Sequence, residues 1–92
     1  MPDLISMQEL SEQDYIIVDV RTETELQTDP IKAAPDKYLH MELQTIPAKH
    51  EDLPKDKLLA FVCAGNIRSA QAAQYLNGIG YDNVCVLDKF SL

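Results

Sequence analysis

The residues best suited to chemistry are Cys63 and Arg68, which lie five positions apart in a segment almost without charge. Arg68 is the only charged residue in the stretch 58–81, so its guanidinium needs a specific partner. A cysteine thiolate is a nucleophile, and the guanidinium fork matches two oxygens of an oxyanion. The pair therefore predicts a site in which Cys63 attacks and Arg68 anchors an anion.

The residues between this pair predict a curled loop that leads into a helix. Gly65 and Asn66 tolerate the unusual backbone dihedrals that such a loop requires. A helix beginning near Arg68 or Ser69 would aim its first amides, which carry partial positive charge, at an anion in the loop. The field of this helix and the nearby guanidinium of Arg68 both favour the thiolate form of Cys63. The candidate binding residues around it are Ala64, Gly65, Asn66, Ile67, Arg68 and Ser69.

Other uses of the cysteines and histidines remain open at this point. A cysteine at the end of an apolar strand is commonly a packing residue, and Cys85 fits that interpretation. For Cys63, the following loop, the helix and Arg68 favour function. A Cys–His pair would require His40 or His50, which are both distant in sequence.

Strands and helices that could position the loop alternate along the chain. Apolar, β-branched runs predict buried parallel strands at 15–20, 58–63 and 84–87, with a shorter strand at 38–41. Capping boxes at Ser6/Glu9 and Thr22/Glu25 predict two helix starts, and residues 69–77 predict a further helix that Gly80 ends. The pattern predicts an α/β three-layer sandwich with a mainly parallel sheet of four or five strands.

Composition predicts one soluble domain over residues 1–92, because 46% of the residues are hydrophobic and 25% are charged. The net charge of −7 disfavours nucleic acids and anionic membranes as partners. No apolar run approaches the ~20 residues of a membrane span, and the N-terminus lacks the pattern of a secretory signal. We therefore expect a cytoplasmic protein. Two cysteines cannot close a four-ligand zinc site, so no metal is expected.

Together, these segments resemble the single-domain rhodaneses, a sulfurtransferase family whose active loop runs from a catalytic Cys to an Arg five positions on. The Asp-Val-Arg at 19–21 is similar to a family motif, and the segments 68–76 and 80–84 are especially similar. From Cys63 to Arg68 the loop has six residues, the length that sulfurtransferases of this fold use. The related dual-specificity phosphatases use a loop one residue longer.

The resemblance implies a two-step sulfur transfer with Cys63 as the catalytic residue and no cofactor. The donor would be a small anion such as thiosulfate or a protein persulfide, and the acceptor cyanide or a thiol. Asp19 and Arg21 would be architectural. The Ser69 hydroxyl would either stabilise the persulfide or cap the helix.

The chain departs from the family pattern at three places. Asn66 stands where the family has Gly, with Gly65 one position earlier; residues 29–34 replace a Gly-His-Ile-Pro-Gly-Ala stretch; and the usual C-terminal helix is expected to be shortened or absent. A thinly covered sheet face would then be relieved by dimerisation, so a monomer and a homodimer both stay open. The departures also leave open a non-catalytic interaction or regulatory module, with a Cys-dependent phosphatase as a minor alternative.

Overall fold

The sheet that positions Cys63 has five strands, all paired in parallel. The computed structural model describes residues 2–92. In chain order the strands are β1 (Leu4–Ile5), β2 (Tyr15–Asp19), β3 (Tyr38–His40), β4 (Leu58–Val62) and β5 (Val84–Leu87), and their order across the sheet is β1-β5-β4-β2-β3. The four predicted strands are confirmed to within one residue at their ends. The short strand β1 was not predicted.

Four α-helices connect the strands: α1 (Met7–Leu10), α2 (Glu23–Thr28), α3 (Ile46–Lys49) and α4 (Ile67–Gly78). Single 3-10 turns lie at Pro35–Lys37, Leu43–Thr45, His50–Asp52 and Lys89–Ser91. Both predicted capping boxes form, at the first residues of α1 and α2. After α4, Gly80 has a φ of 109°, as expected for a left-handed stop. None of the helices in 2–92 has the length and apolarity to cross a bilayer.

Apolar side chains cover both faces of the sheet, so the predicted three-layer α/β sandwich is confirmed. On one face, the small residues Ala72 and Ala73 let α4 lie close to β4 and β5 and pack with Phe61. On the other face, Leu10 of α1 packs into a second cluster that contains Cys85. Burial, together with the charge of Asp3, raises the pKa of Cys85 to about 12, so this thiol is a packing residue.

A buried ion pair fixes the end of β2, beside the end of β4. Asp19 and Arg21 are 0% and 1% exposed, and Nη2 of Arg21 lies 2.9 Å from Oδ2 of Asp19. The phenol of Tyr38 donates to the same oxygen at 2.7 Å, and Nη1 of Arg21 donates to the Asp29 carbonyl at 2.9 Å. The hydrogen bonds that Arg21 donates to Asp19 are the main reason that the pKa of Arg21 is raised. The complete burial of this pair fits the architectural role that the resemblance implies.

We predict that Asp19→Ala lowers the free energy of unfolding by about 3–5 kcal/mol, because it leaves the Arg21 guanidinium buried without its carboxylate. Urea unfolding followed by circular dichroism measures this. As a control, Asp14→Ala removes the exposed pair with Lys57 (3.3 Å) and should cost less than about 1 kcal/mol. Equal losses for the two variants would contradict the assignment.

Candidate active site

The sulfur of Cys63 lies where β4 ends, beneath the loop 64–66 and beside the first turn of α4. The Ser69 amide donates to Sγ at 3.3 Å, and Oγ of Ser69 is also 3.3 Å from Sγ. The backbone amides of Gly65 and Arg68 also help to lower the pKa of this thiol. Burial by itself raises the pKa of Cys63, but these hydrogen bonds outweigh it, so the pKa is lowered from its ordinary value. The site therefore favours a thiolate.

The thiol of Cys63 is buried, although the loop that follows it is largely exposed. Cys63 is 1% exposed, whereas Ala64 and Gly65 are exposed and Ile67 is 71% exposed. A Cβ added at Gly65 would meet no atom within 4 Å. The loop thus lies at the surface, with open space above it and the sulfur below.

Asn66 provides the left-handed residue of the loop, with φ 67° and ψ 4°. Gly65, which could also tolerate such a conformation, does not have a positive φ. The Asn66 side chain donates from Nδ2 to Oδ1 of Asp88 at 3.1 Å and accepts from the Lys89 amide at 3.0 Å. It joins the loop to the segment after β5. Sequence reasoning missed this tie, although the replacement of Gly by a residue with both donor and acceptor was visible.

The guanidinium of Arg68 is bound to a carboxylate from another helix. Its two terminal nitrogens each donate to a different oxygen of Glu25, both at 2.7 Å. Chiefly through these bonds, the pKa of Glu25 falls to about 2. Coulombic attraction to Cys63 is among the effects that raise the pKa of Arg68. Glu25 was predicted only as a capping residue, and its contact with Arg68 was missed.

Ser69 contacts the sulfur of Cys63 and does not act as the cap of α4. The N-cap residue is Asn66, and Ser69 is buried in the first turn with its hydroxyl at Sγ. The histidines contact other groups: Nε2 of His40 lies 2.7 Å from the Arg21 carbonyl, and Nδ1 of His50 lies 3.2 Å from the hydroxyl of Tyr81. Across 2–92, no three side chains from His, Cys, Asp and Glu cluster as metal ligands.

Residues 4–90 match a family model described as the rhodanese-like domain. A tRNA uridine(34) hydroxylase of Rickettsia canadensis (strain McKiel) is 35% identical over 78 residues, which are 82% of this chain and 31% of that protein. The chain thus spans less than a third of that relative's length. "Putative sulfurtransferase YtwF" of Bacillus subtilis (strain 168) is 32% identical over 76 residues, which are 83% of this chain and 70% of that protein.

The fold is also similar to solved structures. The crystal structure of a rhodanese-like domain protein from Staphylococcus aureus has a TM-score of 0.74 and 31% sequence identity. The match covers 94% of this chain and 85% of that one. Sequence and structure comparisons therefore agree over nearly the whole chain.

We predict that Ser69→Ala raises the pKa of Cys63, because the hydroxyl that lowers it is lost while the amide of residue 69 remains. The rate of alkylation by iodoacetamide, measured against pH, reports the thiolate fraction. Ser11→Ala, at an exposed position, is the matched control and should leave the profile unchanged. An unaltered profile for Ser69→Ala would show that the hydroxyl does not stabilise the thiolate.

We predict that Asn66→Ala is less stable than Asn66→Gly by about 1 kcal/mol, because both variants lose the side-chain hydrogen bonds but only alanine strains at positive φ. Urea unfolding of both variants and the wild type measures the difference. Equal stability of the two variants would contradict the left-handed conformation at this position.

Proposed function

The chain belongs to the rhodanese-like sulfurtransferase family, and from this premise we propose that it transfers sulfane sulfur through a persulfide on Cys63. The observation that carries the proposal is that the amide and the hydroxyl of Ser69 both lie 3.3 Å from the sulfur of Cys63, whose pKa is lowered. Such donors stabilise negative charge without any rearrangement during the reaction. The site is therefore suited to an attacking thiolate and to the anionic persulfide that replaces it.

In the first step, the Cys63 thiolate attacks the outer sulfur of a donor such as thiosulfate. The new Sγ–S bond forms as the S–S bond of the donor breaks, and the electron pair of that bond leaves with sulfite. In the second step, a thiol or cyanide attacks the outer sulfur of the persulfide and releases Cys63 as a thiolate. No organic cofactor is required, because the transferred sulfur stays covalently bound between the steps.

The remaining loop residues are proposed to hold this geometry and to form the mouth of the site. Asn66 sets the turn, and Ala64, Gly65 and Ile67 are the parts of the loop that a donor would meet at the surface. Arg68 attracts the charge on Cys63, although its terminal nitrogens are bound to Glu25. The role of Arg68 in holding an oxyanion therefore depends on how that ion pair responds to a donor.

A non-catalytic interaction module is the second candidate, and the depth of the sulfur favours it. A thiol that is 1% exposed reacts only if the loop admits a donor. The lowered pKa of Cys63 favours catalysis instead, because a structural thiol gains nothing from ionisation. A tRNA substrate, as in the name of the Rickettsia protein, is disfavoured for this chain because its net charge of −7 opposes binding to a phosphate backbone.

We predict that the protein gains one sulfur atom on incubation with a sulfane-sulfur donor, as measured by intact-protein mass spectrometry under non-reducing conditions. Cys63→Ser should gain none, whereas Cys85→Ser, the matched control, should still be loaded. Loss of the added sulfur on treatment with cyanide would complete the cycle. Equal loading of Cys63→Ser, or no loading of the wild type by thiosulfate or by a persulfide, would refute the proposed function and leave the interaction module.

A further inference from the structure

Arg68, which was expected to bind an anion, is already paired with the carboxylate of Glu25. Both terminal nitrogens of Arg68 donate at 2.7 Å to Glu25, and the two side chains are 33% and 31% exposed, so the pair lies at the surface. A bidentate guanidinium–carboxylate pair uses the geometry with which an oxyanion would be recognised. An incoming anion must therefore displace Glu25 or bind beside it.

Glu25 is also held from its own side, by the capping box of α2. Its Oε1 accepts from the amide and the hydroxyl of Thr22, each at 3.1 Å. A carboxylate with a pKa of about 2 is ionised at every pH at which the protein would work. Glu25 therefore presents a fixed negative charge beside Arg68, and moving it away would also break the capping contacts.

Two other cations, which follow the carboxyl ends of β2 and β5, are also paired with carboxylates. Arg21, just after β2, is paired with Asp19 at 2.9 Å, and Nζ of Lys89, just after β5, lies 3.0 Å from Oδ2 of Asp29. A doubly charged donor thus meets cations that already have carboxylate partners. Close to the surface, a fixed like charge within a few ångströms opposes binding by far more than distant charges do.

We propose that Glu25 is a specificity-determining residue that discriminates against dianionic donors such as thiosulfate and so favours the weakly charged persulfide of a small thiol, R–S–SH. This inference rests on the proposed function and specifies the class of sulfur donor that it would use. A small thiol is favoured because the sulfur of Cys63 is 1% exposed beneath its loop. The negative charge of Glu25 would repel dianionic donors, so the discrimination needs no additional favourable contact with the preferred donor.

The transfer from such a donor balances without any further reactant. The Cys63 thiolate attacks the outer sulfur of R–S–SH, and a bond forms between Sγ and that sulfur. The S–S bond of the donor breaks, its electron pair leaves with the thiolate RS⁻, and the proton remains on the transferred sulfur. The products are the Cys63 persulfide and a small thiolate, which takes a proton from water.

The test compares the donor preference of the wild type with that of Glu25→Gln. Glutamine preserves the capping box while it removes the charge. We expect the ratio of kcat/KM for thiosulfate to kcat/KM for cysteine persulfide to rise about tenfold, through a lower KM for thiosulfate. Glu23→Gln is the matched control, since it removes the same charge from the same turn of α2, and it should change the ratio less than about twofold.

A second variant, a sulfur-loading measurement and a protein persulfide donor complete the test. Glu25→Ala also frees Arg68 and must shift the ratio in the same direction, which covers the case that Glu25→Gln folds poorly. An unchanged ratio in a folded variant whose Cys63 still acquires sulfur overturns the specificity role alone. If Cys63 acquires sulfur from neither donor in any variant, the proposed function fails with it. Faster transfer from persulfidated serum albumin than from cysteine persulfide would overturn the assignment to a small thiol.

Discussion

The balance between burial and hydrogen bonding at one sulfur is the interaction on which the site depends. The two cysteines provide an internal comparison, because both are almost completely buried. At Cys85 burial dominates and raises the pKa to about 12. At Cys63 the Ser69 hydroxyl and three amides reverse the direction of the shift. The opposite pKa shifts of the two thiols thus follow from the placement of hydrogen-bond donors, not from exposure to water.

That placement requires the loop to be held from two sides. Asn66 ties it to Asp88 and Lys89, after β5, while Arg68 ties the first turn of α4 to Glu25 of α2. Parallel pairing brings these segments together, because it places the carboxyl ends of β2, β4 and β5 along one edge of the sheet. The fold serves the site by fixing the directions of a few amides.

Local sequence patterns predicted the parts of the structure that local physics determines. The longer strands and both capping boxes are examples, whereas β1, with two residues, is too short to show a periodicity. The position of Cys63 and the left-handed Asn66 were also accessible from the sequence. The partner of Arg68 was not, because Glu25 lies 43 residues away and was fully explained by its capping role. Ser69 stayed ambiguous for a similar reason, since only the folded chain shows that its hydroxyl reaches Sγ.

The contact between Glu25 and Arg68 also changes how the net charge of −7 should be interpreted. Charges spread over the surface are screened within about 8 Å at physiological ionic strength, so the overall charge alone discriminates weakly between donors. A carboxylate in direct contact with the guanidinium is screened far less. Because the same ion pair ties α2 to the active loop, a dianion that captured Arg68 would also loosen the scaffold that aligns the amides. The proposed rejection of such anions and the attachment of the loop to α2 would therefore depend on the same ion pair.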